Sequence, residues 1–128
     1  MIDHKPTVLV LEDEKLLLDA ITKKLELNKM NVIACKSGKE ALKTLQDLDN
    51  VPSAIWLDYY LKDMDGLEFM CSIKKDIRFS NIPSIVVSNS ASDDKVKNML
   101  ALGVKKYYLK AESRLEDIIA TVKDLINK

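Results

Sequence analysis

The chain alternates short apolar runs with longer segments in which apolar residues recur every three or four positions. Five apolar runs stand out, at Thr7–Leu11, Asn31–Cys35, Ala54–Leu57, Ser84–Ser88 and 105–109. Several of them are continuous rather than alternating, which is typical of strands that are covered on both faces in a parallel sheet.

A segment with helical spacing follows each apolar run. The five apolar stripes are Leu17, Ile21 and Leu25; Ala41, Leu42, Leu45 and Leu48; Leu67, Met70, Cys71 and Ile73; Val96, Met99, Leu100 and Leu102; and Leu115, Ile118, Ile119, Val122, Leu125 and Ile126. A strand followed by a helix, repeated five times, predicts an α/β domain. Its parallel sheet is expected to be doubly wound, with right-handed crossovers and helices on both faces.

Three sequence signals mark helix ends. Ser37-Gly-Lys-Glu40 and Ser113-Arg-Leu-Glu116 have the spacing of capping boxes, which predicts that the second and fifth helices begin there. Gly103 follows the fourth stripe, and glycine accepts the left-handed backbone of a helix C-terminal cap. The chain thus carries start or stop signals for three of its five predicted helices.

Composition favours a single domain over residues 1–128, expected in the cytoplasm. Twenty basic and twenty acidic residues cancel, so charge offers no reason to expect nucleic acid or an anionic membrane as partner. No apolar run approaches the roughly 20 residues of a membrane span, and the N-terminus does not resemble a signal peptide. Cys35 and Cys71 lie far apart without a C-x-x-C motif, so two reduced core cysteines are expected.

Polar residues come directly after four of the five predicted strands. Glu12 and Asp13 follow the first, Asp58 follows the third, Ser88 closes the fourth and Lys110 follows the fifth. In doubly wound sheets, ligands bind beyond the carboxyl ends of the strands, so these groups are expected to share one edge. Asp13 alone could instead cap the first helix.

These groups together describe a small site for an anion and a cation. Neighbouring carboxylates repel one another unless a cation lies among them, and oxygen ligands without a His or Cys cluster indicate Mg²⁺. Lys110 adds a positive charge and Ser88 a hydroxyl donor, both suited to a phosphoryl group. Asp58 is the best nucleophile candidate, because carboxylates can form aspartyl phosphates.

Other acidic-site chemistries do not fit the spacing. An EF-hand calcium loop around residues 63–66 would need an acid at position 61 and a glutamate at position 72, which are Leu61 and Ser72. A phosphohydrolase of the D-x-D type would need an acid where Tyr60 stands. His4, the only histidine, lies in a short N-terminal lead and is expected to be solvated.

Four motifs taken together resemble the receiver domain of two-component response regulators, including the chemotaxis receivers. They are VLVLEDE, WLDYYLKDMDG, PSIVVSNSA and GVKKYYLKA, and they span nearly the whole chain in the family's order. The resemblance implies the strand order 2-1-3-4-5. It also implies a phosphorylatable regulator that assists its own phosphorylation and slow dephosphorylation, rather than an enzyme.

The resemblance assigns roles to the acidic residues. Asp58 would accept a phosphoryl group from a phosphohistidine on a histidine kinase or a histidine phosphotransfer protein. Asp13 and Asp58 would bind Mg²⁺, or Mn²⁺ in its place, together with the backbone carbonyl of Tyr60. Glu12 would act on the metal through a water molecule.

It also implies a switch that reads the phosphoryl group. Lys110 would pair first with Asp58 and then with the phosphoryl oxygens. Ser88 would move toward that group, and Tyr107 would turn inward. Such a switch is a two-state equilibrium biased by the better contacts of one state. The chain could be a stand-alone regulator or part of a longer protein.

The output would be protein binding at the face formed by the fourth helix, fifth strand and fifth helix. Four lysines lie in or next to this region, and they could equally be an ordinary solvated face: Lys95, Lys97, Lys105 and Lys106. A receiver-like interaction module that does not rely on phosphorylation is the alternative function. A metal-dependent phosphatase has less support.

Two prolines that are usual in this family are replaced. Lys62 stands four residues after Asp58, and Ala111 follows Lys110. Because a cis bond before a non-proline residue costs about 2.5–4 kcal/mol, the Lys110–Ala111 bond is expected to be trans, with a rearranged loop.

The region after the fourth strand also departs from the family. Asn89 replaces a small residue, which leaves Ser90 as a competitor to Ser88 for the switch hydroxyl; counting from Pro83 selects Ser88. Tyr60 and Ser90 occupy positions that line the approach of hydrolytic water in the family. A bulky ring at Tyr60 is expected to slow loss of phosphate, unless it only packs on the surface.

Overall fold

A computed structural model describes residues 5–127 as five parallel strands that alternate with five helices. The strands are β1 Thr7–Leu11, β2 Asn31–Cys35, β3 Ala54–Leu57, β4 Ser84–Ser88 and β5 Lys106–Leu109. The helices are α1 Lys15–Leu27, α2 Gly38–Asp47, α3 Gly66–Lys74, α4 Asp93–Ala101 and α5 Leu115–Ile126, with a 3₁₀ turn at Lys110–Glu112. The sheet order is β2-β1-β3-β4-β5, which confirms the expected fold.

The sheet separates two apolar cores, which explains why its inner strands read as continuous apolar runs. Leu9 and Leu11 of β1 pack on the side of α2, α3 and α4, whereas Val8 and Val10 pack on the side of α1 and α5. All four residues of β3 are buried, and Trp56 is among the largest fully buried side chains. Burial on both faces removes the reason for polar residues to alternate along a strand.

Strand register brings the ends of the inner strands level with one another. Leu11 of β1 is paired with Leu57 of β3, so Glu12 and Asp58 leave the sheet side by side. Ser88 of β4 is paired with Leu109 of β5, so Lys110 follows at the same edge. The predicted gathering of these side chains is a consequence of this register.

Two of the three predicted helix caps are present. The Ser37 hydroxyl accepts a hydrogen bond from the Glu40 N–H at 3.1 Å, as a capping box requires. Gly103 has a φ of 93°, and the Val104 N–H donates to the Met99 carbonyl at 3.1 Å. That bond and the Gly103 backbone form the Schellman ending of α4.

The predicted capping box at Ser113 is wrong. Helix α5 begins at Leu115 with Arg114 as its N-cap residue, and no side chain caps it. The start lies one residue later than the box needs, so Glu116 is not at the third helical position. Glu116 instead accepts from the Lys24 ammonium at 2.7 Å, across the gap to α1.

The cysteines only partly follow expectation. Both are free thiols, and Cys35 is buried as expected. Cys71 is exposed, because it follows Met70 on α3 and lies outside the buried stripe of that helix. Within residues 5–127, no helix has the length and apolar character needed to cross a membrane. His4 lies outside the described residues.

Candidate functional site

Asp58 lies at the carboxyl end of β3 and is almost fully buried. Its N–H donates to the Leu11 carbonyl at 3.0 Å, which continues the pairing of β1 and β3 and fixes the backbone. Its side chain contacts Lys110, whose ammonium is 3.0 Å from the Asp58 Oδ2 and 2.8 Å from the Glu12 Oε1. Lys110 therefore bridges two carboxylates that are 2% and 8% exposed.

Burial shapes the charge state of this cluster. It raises the pKa of Asp58 to about 7, the nearby negative charge of Glu12 adds to that, and Lys110 opposes it. Burial acts to lower the pKa of Lys110, but hydrogen bonds and charge from both carboxylates outweigh it and raise that pKa above its usual range. Lys110 therefore remains a cation, and the carboxylates would gain from a second one.

The acidic residues have the arrangement of a cation site. One carboxylate oxygen from each of Glu12, Asp13 and Asp58 lies within 4.8 Å of the other two. A cluster of carboxylate oxygens is the ligand set that Mg²⁺ prefers. Asp13 does not cap α1, since the N-cap residue is Glu14 and no side chain caps that helix.

Tyr60 approaches Asp58 through its backbone. Its N–H donates to the Asp58 Oδ1 at 3.2 Å, and an isolated bridge pairs Tyr60 with Asp65. Asp65 is the N-cap residue of α3 and accepts from the Glu68 N–H at 2.9 Å. Asp65 is thus a helix-start residue.

Asp63 has a role that the sequence did not reveal. Its carboxylate accepts from the Gly38 N–H at 2.9 Å and from the Lys39 N–H at 2.8 Å, at the start of α2. Partial desolvation acts to raise the pKa of Asp63, but these backbone hydrogen bonds outweigh it and lower that pKa. We call this contact the Asp63 clamp. It joins positions 24 and 25 residues apart, so no local spacing could have indicated it.

Met64 reinforces the Asp63 clamp. Its side chain lies against Gly38, where an added Cβ would come 2.8 Å from the Met64 Cε. The acceptor loop, residues 59–65, is therefore docked on α2 by one charged contact and one apolar contact. A Cβ at position 38 would therefore force the Met64 side chain to shift, whereas the φ of Gly38 sets no such demand.

The predicted switch residues lie on neighbouring strands. Ser88 is fully buried, and its hydroxyl accepts from the Ser90 N–H at 3.4 Å. The Tyr107 hydroxyl donates to the Ser90 carbonyl at 2.7 Å, so this half-buried side chain points toward the loop after β4. Burial raises the pKa of Tyr107. Both candidate serines are therefore close to Tyr107, with Ser88 at the buried strand end.

The segment after β5 begins with the 3₁₀ turn that contains Lys110. No cis peptide bond occurs in residues 5–127, so the Lys110–Ala111 bond is trans, as predicted. The backbone of Lys110–Glu112 forms the 3₁₀ turn at this position.

Comparison with known proteins identifies the family to which this fold and this acidic site belong. The family model described as the response regulator receiver domain matches residues 8–123. A two-component response regulator of Oryza sativa subsp. japonica is 30% identical over 105 residues, which are 82% of this chain and 78% of that protein. A histidine kinase of Formosa agariphila is 38% identical over 89 residues, but these are 70% of this chain and only 6% of that protein.

A solved structure of the Francisella response regulator 1452 receiver domain is 28% identical. It superimposes with a TM-score of 0.85 over 96% of this chain and 98% of that one. The sequence match, the strand order and the cluster of Glu12, Asp13, Asp58 and Lys110 agree with one another. The chain belongs to the family of response regulator receiver domains.

Proposed function

We propose that the chain is a phosphoacceptor switch of two-component signalling, in which Asp58 receives a phosphoryl group from a histidine kinase or a histidine phosphotransfer protein. The observation that carries the proposal is the buried contact of Asp58 with Lys110, beside Glu12 and Asp13 at the carboxyl edge of the sheet. A buried carboxylate with raised pKa, paired with a cation at the carboxyl edge of a parallel sheet, is a candidate functional group.

Transfer would proceed by displacement at phosphorus. An Asp58 oxygen forms the new P–O bond while the P–N bond to the donor imidazole breaks, and the imidazole nitrogen keeps the electron pair. Lys110 is already 3.0 Å from the Asp58 Oδ2, so its charge is in place before the reaction. The chain mainly contributes orientation and preorganised charge.

The donor set fits Mg²⁺, and Mn²⁺ could replace it. Asp13 and Asp58 would ligate the ion directly with the Tyr60 carbonyl, and Glu12 would act through water. When bound, the ion neutralises charge on the phosphoryl oxygens. The site of this chain fits that group because three carboxylate oxygens converge within 4.8 Å, one of them from buried Glu12.

The readout would be a change in protein binding at the face of α4, β5 and α5. Ser88 and Tyr107 connect Asp58 to that face, because the Tyr107 hydroxyl already contacts the loop between β4 and α4. A phosphoryl group would bias the position of that loop by offering new hydrogen-bond partners. We propose that the chain acts in this way in the cytoplasm, as a regulator rather than a turnover enzyme.

The test is phosphorylation by acetyl phosphate, followed by intact mass measurement. The wild type is expected to gain one phosphoryl group with Mg²⁺ and none with excess EDTA, and Asp58→Asn is expected to gain none. Asp19→Asn, an exposed acid on α1, is the matched control and should behave as the wild type. An unmodified wild type under all conditions would support the interaction module that does not rely on phosphorylation.

A further inference from the structure

Lys95 reaches from α4 toward the rim of the Asp58 site. Its ammonium lies 4.5 Å from the centre of the Tyr60 ring and 5.4 Å from the centre of the Tyr59 ring. The same ammonium is 3.5 Å from the Ser90 hydroxyl. Such distances are those of cation–π contacts, with one cation shared between two aromatic faces.

The two tyrosines differ in exposure. Tyr59 is 6% exposed, whereas Tyr60 is 46% exposed. Their ring centres are 5.0 Å apart at an angle of 69°, an edge-to-face contact. The Tyr60 ring thus lies at the surface, where it packs against Tyr59 and is contacted by Lys95.

Tyr60 is also tied to the reacting carboxylate. Its backbone N–H donates to the Asp58 Oδ1, while Lys110 contacts the Asp58 Oδ2. The Tyr60 backbone therefore lies at the Asp58 oxygen that Lys110 does not contact, which ties the residue that carries the ring to the acceptor carboxylate. Both Tyr59 and Lys95 contact this half-exposed ring.

The helix does not need the Lys95 side chain to begin. Ser92 caps α4, and its hydroxyl accepts from the Lys95 backbone N–H at 3.2 Å. That bond is independent of the side chain, which is half-buried against the tyrosines. The position of the ammonium therefore has a local reason that is separate from the stability of α4.

We propose that Lys95 is a positioning residue that fixes the Tyr60 ring beside Asp58 and so prolongs the lifetime of the aspartyl phosphate. The inference rests on the proposed function and adds a regulator of its decay. In that decay, a water oxygen attacks phosphorus, the bond from phosphorus to the Asp58 oxygen breaks, and inorganic phosphate leaves. The water protons pass to the phosphate and to solvent. A ring held near the acceptor hinders the approach of that water.

The experiment compares decay of the phosphorylated protein after removal of acetyl phosphate, followed by intact mass. Lys95→Met keeps the aliphatic stem and removes the charge, and it is expected to shorten the half-life roughly threefold to tenfold, the range open to one cation–π contact. Lys95→Arg retains a cation and should restore a half-life close to that of the wild type. Lys97→Met, at an exposed position on the same helix, should leave the half-life unchanged.

The Tyr60→Asn variant tests whether Lys95 acts through the Tyr60 ring. It is expected to shorten the half-life by itself, and adding Lys95→Met to it should change the half-life less than twofold. An equally large effect of Lys95→Met in that background would overturn the inference, because Lys95 would then act independently of the ring. Equal half-lives for the wild type and Lys95→Met would also overturn it.

The outcomes separate this inference from the proposed function. If the wild type accepts no phosphoryl group, both the proposed function and the positioning role of Lys95 are wrong. If the wild type is phosphorylated on Asp58 but its decay does not depend on Lys95, only the positioning role is wrong. Circular dichroism should show Lys95→Met as fully folded at the assay temperature as Lys97→Met, so that a faster decay does not come from a general loss of structure.

Discussion

The two loops that carry the key side chains are restrained in different ways. The acceptor loop after β3 is docked on α2 by the Asp63 clamp and by Met64, and it ends in the Asp65 cap of α3. The segment after β5 has a 3₁₀ turn and then an α5 start without a side-chain cap. Both loops lack a proline that is usual in the family, at Lys62 and Ala111.

The difference follows from how each loop delivers its functional group. Asp58 has a short side chain, so its position depends on the backbone around it. Lys110 has a long side chain that reaches its own two partners, at 2.8 Å and 3.0 Å, and these ion pairs help to fix it. Proline restrains a loop by limiting the unfolded chain, whereas the Asp63 clamp does so with contacts that exist only in the folded state.

Loss of the Asp63 clamp should have the largest effect. Asp63→Ala leaves two N–H groups at the start of α2 without their acceptor and is expected to lower the free energy of unfolding by about 1–2 kcal/mol. It should also slow phosphorylation by acetyl phosphate, because the loop that carries Asp58 loses its anchor. Urea unfolding and intact mass measure the two effects. Exposed Asp49→Ala is the control, and equal results for the two variants would contradict the role of the clamp.

The same contact should depend on pH with a definite sign. Because its hydrogen bonds lower the pKa of Asp63 in the folded state, the contribution of the clamp is fully present above the ordinary aspartate value. It is lost as the pH falls through the lowered pKa of Asp63. The stability difference between the wild type and Asp63→Ala should therefore be constant from pH 5 to 8 and shrink in acid. A stability difference between the two proteins that grows in acid would contradict this role of the Asp63 carboxylate.

A larger residue at Gly38 should displace the acceptor loop through its contact with Met64. Gly38→Ala places a methyl group against Met64, and a net loss of about 1 kcal/mol is expected even though alanine favours a helix. Met64→Ala should remove that loss when it is added to Gly38→Ala. Unfolding free energies of the four proteins in this cycle test the expectation, and additive changes would argue against direct contact.

Helix capping gives a smaller contrast between two serines. Ser37→Ala removes the cap of α2 and is expected to cost about 1 kcal/mol. Ser113→Ala should cost less than about 0.5 kcal/mol, because Ser113 does not cap α5. Thermal or urea unfolding would show the contrast. Equal losses would mean that α5 begins at the capping box after all.

Restoring the missing proline should have the smallest effect. Lys62 is exposed and, like every described non-glycine residue except Lys29, does not have a positive φ. Lys62→Pro is therefore expected to raise the free energy of unfolding by about 0.4–1 kcal/mol, by restricting the unfolded chain. Lys62→Ala is the control that removes only the charge. A loss of stability with proline alone would show that this backbone position does not accept it.

The α/β class and the gathering of polar residues at one sheet edge could be predicted because both depend on local patterns, whereas the strand order came from the resemblance to the family. Continuous apolar runs indicated buried strands, and polar residues at strand ends converge wherever parallel strands are in register. The capping box at Ser37 was equally local. Leu11 and Leu57 are level in the sheet, and this register places Glu12 beside Asp58.

The parts that sequence did not reveal depend on tertiary contacts. Asp63 binds a helix start more than twenty residues away, and Lys95 contacts two tyrosines on another loop. At Ser113 the local signal was present, but α5 begins one residue later and Glu116 pairs with Lys24 of α1. A contact between distant elements leaves no spacing that a single sequence can show.

The most direct test of the central assignment locates the phosphoryl group itself. The protein is phosphorylated with acetyl phosphate and Mg²⁺ and then reduced with borohydride, which converts an aspartyl phosphate to homoserine. Peptide mass spectrometry then identifies the modified position. Homoserine at position 58, and its absence at Asp13 and Asp63, is the predicted result. Homoserine at another aspartate, with Asp58 unmodified, would contradict the account.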